Sequence, residues 1–173
     1  MFFKRKNKMA VKKIRKIGDP VLREKSREVE TIDKNVMALV EDMIDTVSDA
    51  GISGIGLAAP QIGVLKRIII VYQDEKFETF INPEIKILDN EMLEDEEGCL
   101  SVYSIKTSVK RPRKIKLRAK NLKGDEVELE AEEMLARIFM HEIDHLNGML
   151  FIDHLNPKAR KDFLSKLNRE INL

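Results

Sequence analysis

The sequence predicts an α+β fold: twisted, mainly antiparallel strands around a central helix, with one helix before and one after. Three observations predict it. Helical patterns occupy three separated segments, near 33–47, 131–145 and from 157 onward. Short β-branched or alternating runs fill the space between the first two, bounded by turn residues. Two of those runs, around a turn at 121–125, alternate apolar with charged residues, which reads as a hairpin with one solvated face.

Length and composition agree. The 173 residues suit one domain with a real core, and 43% apolar with 35% charged residues is a globular composition. The 31 Lys and Arg nearly balance the 30 Asp and Glu, which gives no support for nucleic acid as a partner. Basic clusters at 4–16 and 106–120 read as solvated faces. One cysteine excludes an internal disulfide and fits a reducing cytoplasm. No stretch is long enough for a signal peptide or a membrane span.

Taken in order, residues 1–8 read as a loose basic extension, with Met9 an alternative start and 9–173 a single catalytic domain. Residues 10–30 look extended or irregular, with a turn at Gly18-Asp19-Pro20 and Val21-Leu22 available to the core. From Asp33, Val36, Leu39, Val40, Met43, Ile44 and Val47 recur at three- and four-residue steps. Thr31 or Asp33 can cap this helix and Gly51 can end it. The glycines at 51, 54 and 56 precede small residues and Pro60. A phosphate loop is rejected, because a helix and not a strand precedes the run and no Gly-Lys-Ser/Thr occurs. Gln61 at its end can place an amide donor in a cleft.

Residues 67–72 form a β-branched strand buried on both faces. Residues 77–81 and 85–88 read as two more, separated by Asn82-Pro83, and 101–110 alternate loosely. Ile115, Leu117 and Ala119 alternate with Lys and Arg, and Val127 and Leu129 return after the turn. The run 131–141 is rich in strong helix formers. Gly148 follows, then 149–152, and Pro157 opens a last helix with Phe163, Leu164 and Leu167 on one side.

The central helix carries His141-Glu142-Ile143-Asp144-His145. Residues four apart share a helix face, so His141 and His145 can grip one metal ion. Glu142 then sits beside the metal, where a carboxylate can take a proton from water. Met134 and Ile138 continue the stripe as an apolar lining. The bland reading is a helix with two incidental histidines, and a third ligand decides between them. Cys99 qualifies: it follows glycine in a polar, acidic loop and not in an apolar run. Two imidazoles and one thiolate leave the fourth tetrahedral position open to water, which suits catalysis. The spacing of His154 fits no ligand pattern, and it is left on the surface.

Three stretches, Gly54-Ile55-Gly56-Leu57-Ala58-Ala59-Pro60-Gln61, Glu97-Gly98-Cys99-Leu100-Ser101 and His141-Glu142-Ile143-Asp144-His145, resemble the three motifs of peptide deformylase, in the family's order. The likeness runs from about residue 14 to the last helix, without large insertions. The resemblance implies hydrolysis of the N-formyl group from formylmethionine on new polypeptides, releasing formate. It implies a metal held by Cys99, His141 and His145, usually Fe2+, with Zn2+, Ni2+ or Co2+ as replacements. Glu142 would be the general base, and Gln61 and the N–H of Leu100 would meet charge on the formyl oxygen. Ile55, Gly56 and Gly98 would bind the substrate backbone. Ile55, Met134 and Ile138 would wall the methionine pocket, with the stem of Arg137 at its rim. Glu97, Arg111 and Asp144 match a supporting ion-pair network. The implied partners are N-formylmethionyl nascent peptides near the ribosome exit, in a bacterial cytoplasm or, alternatively, an organelle, with no DNA and no membrane.

Two departures stand out. Met140 replaces the family's usual glutamine before the first histidine, which puts polar support of the metal helix in doubt. Tyr103 stands where proline is common, in a loop lining the cleft. Three other readings compete. One is an H-E-x-x-H peptidase with a ligand downstream, for which His154 is the nearest candidate. Another is a binding module whose chemistry has lapsed. The third is a cysteine nucleophile with His141 as base, which leaves Glu142 and His145 idle.

Overall fold

The computed structural model describes residues 11–49, 55–103 and 105–171. The elements are α1 (Lys34–Asp49), β1 (Gly56–Ala58), β2 (Ile68–Gln73), β3 (Lys76–Ile87), β4 (Met92–Glu97), β5 (Thr107–Pro112), β6 (Lys114–Lys120), β7 (Glu126–Glu132), α2 (Glu133–Leu146) and α3 (Pro157–Ile171). Five strands form one sheet in the order β1-β2-β3-β6-β7, and β4 pairs with β5 in a second, smaller one. Every pairing between these strands is antiparallel, so the fold is α+β. The expected basic extension, the alternative start at Met9 and the helix stop at Gly51 lie outside the described residues.

The large sheet lies between two helices, and β2 explains how. Ile68, Ile69, Ile70 and Val71 are fully buried. Alternate residues face opposite ways along a strand. Ile68 and Ile70 pack with Val36, Val40, Met43 and Val47 of α1. Ile69 and Val71 pack with Ala136, Phe139, Met140 and Ile143 of α2. The β-branched run therefore has no polar face because neither of its faces meets water. The cap of α1 is Asp33, whose Oδ1 accepts from the Val36 N–H at 2.9 Å.

Three sequence expectations change. Residues 77–88 form one strand and not two: β3 runs through Asn82-Pro83 with a register irregularity between Ile81 and Glu84. Asn82 takes the left-handed φ of 50° that asparagine tolerates. Its side-chain amide exchanges hydrogen bonds with the Val29 backbone at 2.8 and 3.0 Å, and its own N–H donates to the Arg67 carbonyl at 2.8 Å, which anchors the chain where the ladder breaks. At the start of α2, Ala131 and Glu132 belong to β7, because strand pairing with β6 outweighs helix propensity there. In α3, Phe163 and Leu167 are buried but Leu164 is exposed, since the helix offers only a narrow stripe to the turn before it. The strand β4 had no sequence signal. Its residues, Met-Leu-Glu-Asp-Glu-Glu, are poor strand formers held by pairing with β5.

Candidate active site

Helix α2 presents His141 and His145 on one face, with ring centroids 5.2 Å apart. Cys99 leaves the end of β4 just before the 3-10 turn Leu100–Val102. Its Sγ lies 3.3 Å from His145 Nε2. One ligand atom from each of Cys99, His141 and His145 lies within 4.8 Å of the others, and no other such group occurs among the described residues. The geometry brings together the three side chains that the sequence singled out.

The groups around this trio are fixed from outside. Gln61 stands in the 3-10 turn Ala59–Ile62 and is buried. Its Oε1 accepts from the Ala58 N–H at 2.8 Å. Its Nε2 donates to Cys99 Sγ at 3.4 Å and to Ser101 Oγ at 3.2 Å. Glu97 accepts from His141 Nδ1 at 2.9 Å, from Arg111 through two bonds of 2.8 and 3.0 Å, and from Arg137 at 2.8 Å. A carboxylate on Nδ1 fixes the imidazole tautomer and turns Nε2 toward a metal position. Phe151 stacks on the same ring, at 5.8 Å and 21°.

Glu142 is buried, and its Oε2 has no hydrogen-bond partner. Burial pushes its carboxyl up to about 7, against the pull of His141 and His145. A Cβ built on Gly56 would come within 2.5 Å of Glu142 Oε1, so a glycine there makes room for the carboxylate. Burial raises the Cys99 thiol, yet the two imidazoles pull it well below the usual thiol range. Burial opposes charge on His141, but Cys99 and Glu97 hold it well above the usual histidine range. A thiol pulled low between two imidazoles is a donor set suited to a divalent cation, which would displace their protons. Thiolate and imidazole donors suit Fe2+, Zn2+, Ni2+ and Co2+ alike.

A cleft of about 450 Å³ opens beside the trio. Ile55, Gly56, Gly98, Leu100, Met134, Ile138 and Glu142 line it, and Ile55 and Met134 are substantially exposed at its mouth. Arg137 also lines it, and its head turns away from solvent. Its side chain is buried, and besides Glu97 its guanidinium donates to the carbonyls of Val109 at 2.8 Å and Leu93 at 2.9 Å. Arg137 therefore pins β4 and β5 to α2.

Tyr103 stands in the cleft wall at φ 58°, with the Lys16 ammonium 5.1 Å from its ring centre. Lys16 also donates to the Leu100 carbonyl at 2.6 Å, a contact with no sequence signal. Met140 is buried in the apolar cluster shared with Ile69 and Phe80, so an apolar residue is what its surroundings demand. His154 is outside the trio, as expected from its spacing. It is not idle, however: its Nε2 lies 2.8 Å from Asp144 Oδ2, and Asp144 accepts from Arg111 at 2.7 Å.

Comparison with known proteins gives one answer. The family model described as polypeptide deformylase matches residues 11–161. A peptide deformylase of Clostridium botulinum is 53% identical over 150 residues, covering 87% of this chain and all of its own length. The crystal structure of a peptide deformylase from Legionella pneumophila superposes with a TM-score of 0.86 at 38% identity, covering 94% of this chain and 96% of that one. The Thermotoga maritima peptide deformylase gives 0.81 at 41% identity, over 86% of this chain and 99% of that one.

Proposed function

This chain belongs to the polypeptide deformylase family, and from that premise we propose which of its residues do the family's chemistry. Its activity is metal-dependent hydrolysis of the N-formyl group from N-formylmethionyl peptides. The observation that carries the assignment is the convergence of Cys99, His141 and His145 within 4.8 Å, beside a carboxylate oxygen of Glu142 with no partner.

Cys99, His141 and His145 hold one divalent ion, with iron as the native metal and zinc, nickel or cobalt as replacements. When bound, such an ion supplies Lewis-acid chemistry, lowering the pKa of a water and polarising a carbonyl. Glu142 takes a proton from the attacking water and gives it to the departing amine. A carboxyl lifted by burial to about 7 is suited to doing both near neutral pH. The Gln61 amide and the Leu100 N–H donate to the formyl oxygen as charge develops there. Ile55, Gly56 and Gly98 pair with the substrate backbone. The methionine side chain enters the apolar part of the cleft, against Ile55, Met134, Ile138 and the stem of Arg137. The enzyme works in the cytoplasm, near the ribosome exit, where formylated chains emerge. No helix among the described residues is long and apolar enough to cross a membrane.

The test is formate release from a short formyl-methionyl peptide by anaerobically purified protein, with metal measured on the same sample. Turnover with about one metal per chain supports the assignment. A full metal site without turnover sinks it. Activity lost on aerobic purification supports iron, because iron and thiolate both oxidise; equal activity after both preparations counts against it.

A further inference from the structure

The 3-10 turn Phe151–His154, which follows α2, lies outside the three motifs, yet it reaches His141 by two routes. Phe151 stacks on the His141 ring at 5.8 Å. His154, at the other end of the turn, begins a line of polar contacts that ends on the same ring. His154 Nε2 is 2.8 Å from Asp144 Oδ2, and that oxygen accepts from Arg111 Nη1 at 2.7 Å. Arg111 grips both oxygens of Glu97 at 2.8 and 3.0 Å, and Glu97 accepts from His141 Nδ1 at 2.9 Å. Asp153 ties the turn down: it accepts from the Leu150 N–H at 2.9 Å and pairs with Arg160 at 3.1 Å and with Arg23.

The chemistry fixes the direction of the first contact. Asp144 forms a salt bridge with Arg111 Nη1 at 2.7 Å, so its carboxylate is an acceptor only. His154 therefore donates Nε2–H to it. The same nitrogen stands 3.0 Å from Arg111 Nη1, and it cannot accept there while it donates. Asp144 Oδ2 thus takes two donors, His154 Nε2–H and Arg111 Nη1–H, and the carboxylate they share holds Arg111 where it clasps Glu97.

We propose that His154 is a positioning residue for deformylation: through Asp144, Arg111 and Glu97 it keeps His141 turned to the metal. The inference rests on the metal assignment made above. Outer partners of ligating histidines typically govern metal affinity or activity by 10–100-fold, and His154 lies further out, so about a tenfold effect is expected.

The test uses the metal-loaded protein. Release of metal into a chelator is followed beside formate kinetics for the unsubstituted chain, His154→Ala, His154→Gln, Asp144→Asn and the double variant His154→Ala/Asp144→Asn. The expected result is about tenfold faster metal release and lower kcat in His154→Ala, with KM unchanged. His154→Gln, which keeps an N–H donor, restores most of both. In the Asp144→Asn background the His154→Ala change adds nothing further. Metal release from His154→Ala at the unsubstituted rate overturns the proposal, whatever happens to its melting temperature. So do independent, additive effects of the two substitutions. An unsubstituted chain that holds metal but releases no formate would instead overturn the functional assignment, leaving the metal-release arm to decide on His154.

Discussion

Two sets of ion pairs in this molecule use the same residue types and do different things. On the outer face of the β6–β7 hairpin, Lys114 pairs with Glu130 at 2.8 Å and Glu132 at 3.0 Å, and Lys116 and Arg118 reach Glu128 at 2.7 and 2.8 Å. These side chains are 31–64% exposed. Around His141, Arg111 and Glu97 are only 4% and 3% exposed, and Arg137 and Asp144 complete the group. Water screens the first set, whose members exchange it for solvent at little net cost. The second set is out of water, so each charge depends on its partners. The ladder decorates a strand pair that apolar burial already holds. The buried cluster orients a histidine, and its worth lies in geometry.

Glu142 sharpens the contrast most, because it is buried with no partner for one oxygen. Glu142→Ala is expected to keep metal and lose about 10²–10⁴-fold in kcat, read by formate release with metal content measured in parallel. Retained turnover would remove it as the general base. Next, Glu97→Ala removes the carboxylate that Arg111 and Arg137 share, leaving Arg111 only Asp144 and Arg137 only backbone carbonyls. Denaturant unfolding should show a loss of about 3–5 kcal/mol, with weaker metal retention. A loss no larger than that of a ladder variant would dissolve the distinction between the two regions. Gly56→Ala drives a Cβ into Glu142 Oε1, and a misplaced base should lower kcat by about a hundredfold with the fold intact by circular dichroism.

The acids of the buried cluster also have opposite pH signatures. Glu142 is raised from 4.5 to about 7, so its stabilising contribution to the metal-free fold is complete below pH 4.5 and is lost as pH rises through about 7. That loss amounts to about 3 kcal/mol. Glu97 and Asp144 are lowered, so their contributions stand above the ordinary carboxylate range and vanish as pH falls through their depressed values. Glu142→Gln should flatten the decline between pH 4.5 and 7 in urea titrations and leave the acid limb unchanged. The smallest effect is expected in the ladder. Lys116→Ala should leave melting temperature and formate release at their unsubstituted values, and a clear drop in either would show that exposure does not separate the two sets.

The sequence was most legible where chemistry and periodicity coincide. The i, i+4 histidines, the cysteine in a polar loop and the glycine run ending in Gln61 are local patterns, and the fold brings them together. The helices α1 and α3 and the β6–β7 hairpin were legible from spacing alone. What stayed hidden depends on pairing between distant segments. The acidic strand β4 exists because β5 lies beside it, and β3 continues through Asn82-Pro83 because the Arg67 and Val29 backbones anchor Asn82 there. Arg137 read as a rim residue because periodicity locates it on the helix but not its head, which turns to β4 and β5. His154 is exposed, as its spacing suggested, but its contact with Asp144 exists only in the fold.

The most direct measurement is the metal content and formate release of Cys99→Ala beside the unsubstituted chain, purified together without oxygen. About one metal per chain and turnover are expected in the unsubstituted protein, and neither in the variant. A variant that still holds metal on His141 and His145, or still releases formate, would contradict the Cys99-His141-His145 centre.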